Sequence, residues 1–215
     1  MVKRVDTVGV AAVILVVLVI VGVQLALPAS VTIGPLWLVP LIELSGIPIA
    51  LALRGAEGSD GPRVRKVVLA YLIVLVAASV MNAVLLLVSM LRGDDTDGVY
   101  LLFAGFGVLA INVLTFGLIY WWLDSGGPSA RASDHPGSPD FLFPQQATPT
   151  AWRPALLDYL YTAYTNIIAF SPTDTMPLTH RVKVLFTIQS STALLTIVVT
   201  LSRAINLIPG GTPGS

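Results

Sequence analysis

Five stretches of 18 to 25 residues run through this chain with almost no charge: Thr7–Leu27, Leu36–Leu53, Val67–Leu91, Val99–Leu123 and Val184–Ile208. A run of about 20 apolar residues makes a helix of about 30 Å, the thickness of a bilayer's hydrocarbon core. One small domain cannot hide five such helices from water, so the medium that covers them has to be lipid. Composition agrees: 11% of the 215 residues are charged and mean hydropathy is +0.83, whereas soluble domains carry about 25% charge. The 12 basic and 12 acidic side chains cancel, which leaves no positive face for phosphates and excludes a nucleic-acid partner. The chain has no cysteine, hence no thiolate metal site and no disulfide scaffold. The expectation is an all-α integral membrane protein of about five transmembrane helices.

The second stretch is the weakest, because Pro40, Gly46 and Pro48 interrupt it and Glu43 lies inside it. It reads as a spanning helix or as a kinked, re-entrant element, since lipid cannot replace the hydrogen bonds that proline removes. Thr7–Leu27 follows Lys3 and Arg4 like a signal peptide, but its apolar run is longer than the roughly 7–15 residues of a signal's core, so it reads as a retained helix. With five crossings, ten of the 12 lysines and arginines fall on the side of the N-terminus, and only Arg92 and Arg203 on the other. Positive loops stay inside. The reading is therefore a multi-pass protein of the cell membrane, as in a bacterial inner membrane, with its N-terminus cytoplasmic and its C-terminus outside. Trp37 is expected in the outer aromatic belt, and Tyr120, Trp121 and Trp122 in the inner one.

The chain divides into a four-helix transmembrane region at 1–123, a Pro/Gly-rich linker at 124–154, a short helix, loop and final helix at 155–208, and a tail at 209–215. The linker holds six prolines and reads as irregular, with Asp140-Phe-Leu-Phe-Pro144 as an apolar island that docks on the protein or the lipid interface. Ala155–Ile168 has the length of a short helix of about 20 Å, too short to span.

Short helix, polar loop and long apolar helix form a re-entrant or interfacial, pore-helix-like layout before the last helix. From Tyr159 to Ile208 the chain resembles the pore segment of the potassium-channel-like superfamily, with Ala169, Phe170, Ser171, Pro172, Thr173 and Asp174 in place of the filter and Pro177 three residues on. Filter glycines bring successive carbonyls to one axis; Ser171 and Thr173 replace them here and Pro172 fixes its own φ. The resemblance therefore implies a degenerate pore loop without potassium selectivity. The charge distribution puts this loop on the cytoplasmic side, inverted as in the glutamate-receptor branch, unless the helix count differs by one or the likeness is convergent. Asn112–Pro128, Pro139–Gln145, Asp158–Tyr161 and Ala169–Pro177 also resemble an uncharacterised family of bacterial polytopic membrane proteins, which implies a relative and no activity.

In the last helix, Gln189, Thr192, Thr196, Thr200, Arg203 and Asn206 recur every three or four residues and share one stripe. That stripe lines a wet pathway, or it packs helices, since buried threonines satisfy themselves on the preceding turn. Gln189, Thr192 and Thr196 are the candidate pore-lining residues. Glu43 and Arg203 lie about 9 and 7.5 Å inside the outer ends of their helices by the helical rise, which makes them candidates for an intramembrane ion pair. Asn82 and Asn112 suit interhelical hydrogen bonds. Asp174 reads equally as a pore-mouth carboxylate or a turn cap. Asp94, Asp95 and Asp97 lack the spacing of a calcium loop, and His135 and His180 lack that of a metal pair. Neither a catalytic constellation nor a cofactor or metal site is expected, and the chain is not read as an enzyme.

Three functional readings follow. The first is an ion-channel-like pore, with the bilayer as its medium, a homotetramer to enclose the axis and an inorganic cation as the permeant. The alternative is a non-conducting structural or accessory protein whose 124–154 segment docks a partner. A small-solute transporter is a third reading, poorly served by a chain without an inverted repeat.

Overall fold

The computed structural model describes residues 2–57, 62–93, 98–133, 137–148, 152–168 and 175–207. The architecture is mostly helical: α1 (Val2–Ala26), α2 (Leu38–Glu57), α3 (Pro62–Arg92), α4 (Gly98–Leu123), α5 (Pro128–Ala132), α6 (Leu156–Ile168) and α7 (His180–Leu207). Two two-residue strands, β1 (Phe141–Leu142) and β2 (Met176–Pro177), pair antiparallel, Phe141 opposite Pro177 and Leu142 opposite Met176. Three helical stretches, Arg63–Arg92, Val99–Gly126 and His180–Ile205, are long and apolar enough to cross a membrane; Ala11–Ala26 and Leu38–Pro48 are shorter apolar stretches. α2 is one helix of 20 residues with Pro48 inside it.

α4 is the axis of the fold. It packs against α1, α3, α6 and α7, while Phe103 and Phe106 stay exposed, and a helix that meets protein on some sides and lipid on the rest has no need of a polar face. Its glycines set the approach distances. A Cβ on Gly105 would stand 2.6 Å from Thr200 Cγ2 of α7, one on Gly107 2.8 Å from Leu27 Cδ2, and one on Gly117 2.6 Å from Leu160 Cδ2 of α6. Small residues at these crossings let the backbones close up, which is how helices bind each other where the hydrophobic effect is absent.

At the end of α4 the chain reverses through Ser125, Gly126 and Gly127, whose φ values are 51°, 86° and 103°. Glycine adopts such angles without strain; Ser125 is held there, its hydroxyl donating to Asp124 Oδ1 (3.2 Å) and its carbonyl accepting the Gly137 amide (3.1 Å). Arg131 of α5 then donates to the carbonyls of Trp121 (2.8 Å) and Asp124 (2.7 Å). These carbonyls lie at the end of the helix, where a cation suits the dipole, and that of Asp124 also accepts the Gly127 amide (2.8 Å). The 124–154 segment, expected to be irregular, is thus folded into a cap in the part described. Its apolar island packs inward: Phe141 and Phe143 are buried against Tyr120, Tyr159, Phe186 and Trp152, with ring centroids 5.3–5.9 Å apart. Tyr120, expected in the inner aromatic belt, is fully buried instead, because Gln189 gives its hydroxyl a partner inside the protein.

Candidate functional site

The residues with most polar chemistry gather where α4, α6 and α7 meet. α6 starts beside the end of α4 and runs back along it. Tyr159, in its first turn, donates to Asp124 Oδ2 (2.5 Å). Two turns later, Asn166 donates through Nδ2 to Gln189 Oε1 (2.8 Å) and to the Phe186 carbonyl (3.3 Å). Gln189 lies nine residues into α7, about 13 Å along its axis. Asp158 fixes the start of α6 by accepting the Ala155 amide at Oδ2 (2.7 Å), where a carboxylate also suits the helix dipole. The described chain resumes at Thr175, whose Oγ1 accepts from Thr162 Oγ1 at 3.2 Å.

Gln189 is the hub of the upper layer. Its Oε1 accepts from Tyr120 Oη (2.8 Å) as well as from Asn166, and its Nε2 donates to the Ala163 carbonyl (3.1 Å). Thr196, fully buried, donates to the Thr192 carbonyl (2.8 Å), and Thr192, half-buried, to the Ile188 carbonyl (2.7 Å). The polar stripe of α7 therefore faces the protein's own helices. The pore-loop candidates Ala169, Phe170, Ser171, Pro172, Thr173 and Asp174 lie outside the described residues, as do Asp94, Asp95, Asp97 and His135.

Below Gln189 sits a second layer built on Asp140. Its carboxylate takes a two-pronged contact from Arg181, Nε to Oδ1 at 2.8 Å and Nη2 to Oδ2 at 2.5 Å, and Oδ1 also accepts the Thr179 hydroxyl (2.6 Å). Its backbone amide donates to Asp124 Oδ1 (2.8 Å) and its carbonyl accepts the Leu178 amide (2.8 Å). Asp140 has no exposed surface. Burial alone would raise its pKa, but the hydrogen bonds from Arg181 and Thr179 and the guanidinium charge outweigh that and hold the carboxyl below its ordinary value. The Tyr159 hydroxyl is pushed up, chiefly by burial and further by Asp124, against the pull of Arg131, whose guanidinium lies 5.2 Å from the ring centroid. It stays protonated and donates. Each charged group here has its counterpart, so the layer works as a clasp between α4, the cap and the start of α7. The sequence reading singled out neither Asp124 nor Asp140 as a site residue; the signal available was two aspartates beside Gly/Pro turns, which also describes an ordinary exposed loop.

Glu43 and Arg203 are not brought together, and among the described residues no ion pair joins them. α2 packs on α1 and α3, whereas α7 packs on α3, α4 and α6. Glu43 is buried, its carbonyl accepts the Tyr71 hydroxyl of α3, and its Oε2 has no hydrogen-bond partner among the described residues. Arg203 lies at the far end of α7 against the last turn of α3, beside Gly93, Met90 and Leu91. Asn82 donates to Gln24 Oε1 (2.6 Å), joining α3 to α1, while the amide of Asn112 is buried with no partner among the described residues. No group of three or more metal-ligating side chains exists among the described residues. Compared with known proteins, the chain matches no family model, no curated protein and no solved structure.

Proposed function

We propose that this chain is a five-helix membrane protein of the non-conducting, structural or accessory class, and that its capped end is a rigid platform for a partner. The observation that carries this is the use of Gln189. A conduit needs that amide on an axis shared between copies, free to meet water or an ion. Here its oxygen and nitrogen are both engaged by Tyr120, Asn166 and Ala163 of the same chain, and Thr196 is engaged by its own helix. Such a stripe packs helices in a medium where a buried polar group without a partner costs about 1–3 kcal/mol.

In this reading α1, α2, α3, α4 and α7 cross the bilayer and α6 is re-entrant, dipping from the level of Asp124 to that of Gln189. The cap stands on the cytoplasmic side. On it Leu142, paired across the ribbon with exposed Met176, and Leu178 present apolar surface, while the Asp140 clasp keeps that surface fixed to α4 and α7. A platform has to be rigid where it is held and apolar where it is met, and these residues supply both.

The dip of α6 also favours the second reading, a re-entrant pore loop in a homotetramer passing an inorganic cation. Native mass spectrometry in nanodiscs, with cation flux into proteoliposomes and thiol labelling of Thr196→Cys, separates the two. Flux no greater than in empty liposomes and an introduced thiol closed to aqueous reagents are expected. A tetramer that conducts and is blocked by modification at that position would overturn the accessory reading.

A further inference from the structure

At the end of the bundle opposite the cap, the last turns of α3 and α7 enclose a groove of about 380 Å³ lined by Met90, Leu91, Val198, Val199, Ser202 and Arg203. Its walls are apolar apart from Ser202 and one cation. The Thr200 hydroxyl closes the back against Met90 Sδ at 3.9 Å, and Leu91, Val198 and Ile205 continue the apolar surface outward, all more than half exposed.

Arg203 stands at the mouth. A Cβ on Gly93, the residue just after α3, would lie 3.3 Å from Arg203 Nη2, so the guanidinium rests over that glycine. Among the described residues its buried Nε has no hydrogen-bond partner, and no carbonyl or carboxylate accepts from the rest of the group. A guanidinium is a planar array of donors matched to two oxygens of one oxyanion, and it is more weakly hydrated than an ammonium. A cation with no partner among the described residues, beside an apolar trough at the end of a spanning helix, fits a molecule with the same division: an oxyanion on an apolar chain.

We infer that the α3–α7 groove seats an anionic glycerophospholipid, with the phosphate on Arg203 and an acyl chain along Leu91 and Val198. This rests on the membrane reading above. Charge complementarity selects the head group, and the apolar walls select an amphiphile over free phosphate, whose hydration they cannot replace. One cation near a membrane surface is worth about 1 kcal/mol of attraction to anionic lipid, or about fivefold in retention.

The test is native mass spectrometry of the full chain released from nanodiscs of phosphatidylglycerol and phosphatidylcholine. Phosphatidylglycerol is expected to be retained, with Arg203→Ala lowering retention about fivefold and Arg203→Lys giving an intermediate value. Val198→Trp fills the trough and leaves the cation, and it should lose the adduct at an unchanged melting temperature. Equal retention by Arg203→Ala and the parent chain overturns the inference. Displacement of the adduct by inorganic phosphate overturns it too, leaving an anion site and no lipid seat. Retention that is absent from the parent chain and appears only when Asp94, Asp95 and Asp97 are changed to asparagine would assign the guanidinium to those carboxylates and also overturn it. A chain that does not enter nanodiscs at all defeats the membrane reading itself, an outcome distinct from entry without a lipid difference.

Discussion

Asp140 and Gln189 show how single residues hold two parts of this fold in opposite ways, one by charge and one without it. Asp140 is depressed below its ordinary pKa when folded, so its clasp contributes stability above the unfolded-state value of about 4 and loses it as acid protonates the folded carboxyl. Thermal melts of the detergent-solubilised protein should therefore be insensitive to this group near neutrality and fall on acidification below about pH 4. Asp140→Asn should remove that acid limb and lower stability by about 2 kcal/mol at pH 7, the range for hydrogen bonds to a charged group. An unchanged melt at pH 7 would mean that half-exposed Arg181 contributes little. Gln189→Leu should cost a similar amount, about 2–3 kcal/mol, at every pH, because it strands the buried Tyr120 hydroxyl and leaves the Asn166 amide only the Phe186 carbonyl, and urea-dependent loss of helical circular dichroism would read it. The sequence makes Gln189 conspicuous, as a polar residue in an apolar run, but leaves its side open. Periodicity gives the face of a helix and never the neighbour that the face meets. Asp140 was illegible because its partners, Asp124, Thr179 and Arg181, come together only through the chain reversal at Ser125–Gly127.

The elements themselves were largely legible. Apolar runs in the sequence correspond to α1, α3, α4 and α7 within a few residues, since length and lack of charge suffice to require a helix in a medium that cannot solvate a free backbone. α6 also lies where the sequence puts a short helix. What the sequence did not yield is that α4 is the axis, because a helix apolar on all sides looks the same facing lipid as facing protein. The glycines carry that information once the neighbours are known. A methyl group on Gly117 would approach a backbone atom, Leu160 Cα, to 3.0 Å, and a backbone cannot rotate out of the way. Gly117→Ala should push α6 off α4 and lower stability by about 1–3 kcal/mol through overpacking. Gly22 of α1 has nothing within 4 Å of the same position, so Gly22→Ala should hold or gain up to about 1 kcal/mol from helix propensity. Paired melts would show the contrast; equal effects would mean that α6 is not clamped to α4 as described.

For the whole molecule, the decisive quantity in the proposed five-crossing arrangement is the imbalance of positive charge, ten lysines and arginines against two, because under the positive-inside rule it would orient every element at once. In the proposed arrangement it puts the cap and the Asp140 clasp in the cytoplasm, and Arg203 with its groove at the outer face. The absence of cysteine makes this directly testable, since each introduced thiol is the sole reactive group. Ser30, in the 3₁₀ turn after α1, and Gln145, in the cap, are both exposed and stand at opposite ends of the bundle in that arrangement. A membrane-impermeant maleimide added to intact cells should label Ser30→Cys and spare Gln145→Cys, and permeabilisation should make the second site react. The reverse pattern would invert the protein, move the docking platform outside and require the lipid seat to face the cytoplasmic leaflet. Labelling of both sites from outside would mean an even number of crossings between them, so that α2, α3 and α4 do not all span. That outcome would turn on α2, whose Pro48 and buried Glu43 make it the least lipid-like of the helices, and it would leave the α4–α6–α7 junction in place while removing the five-helix frame around it.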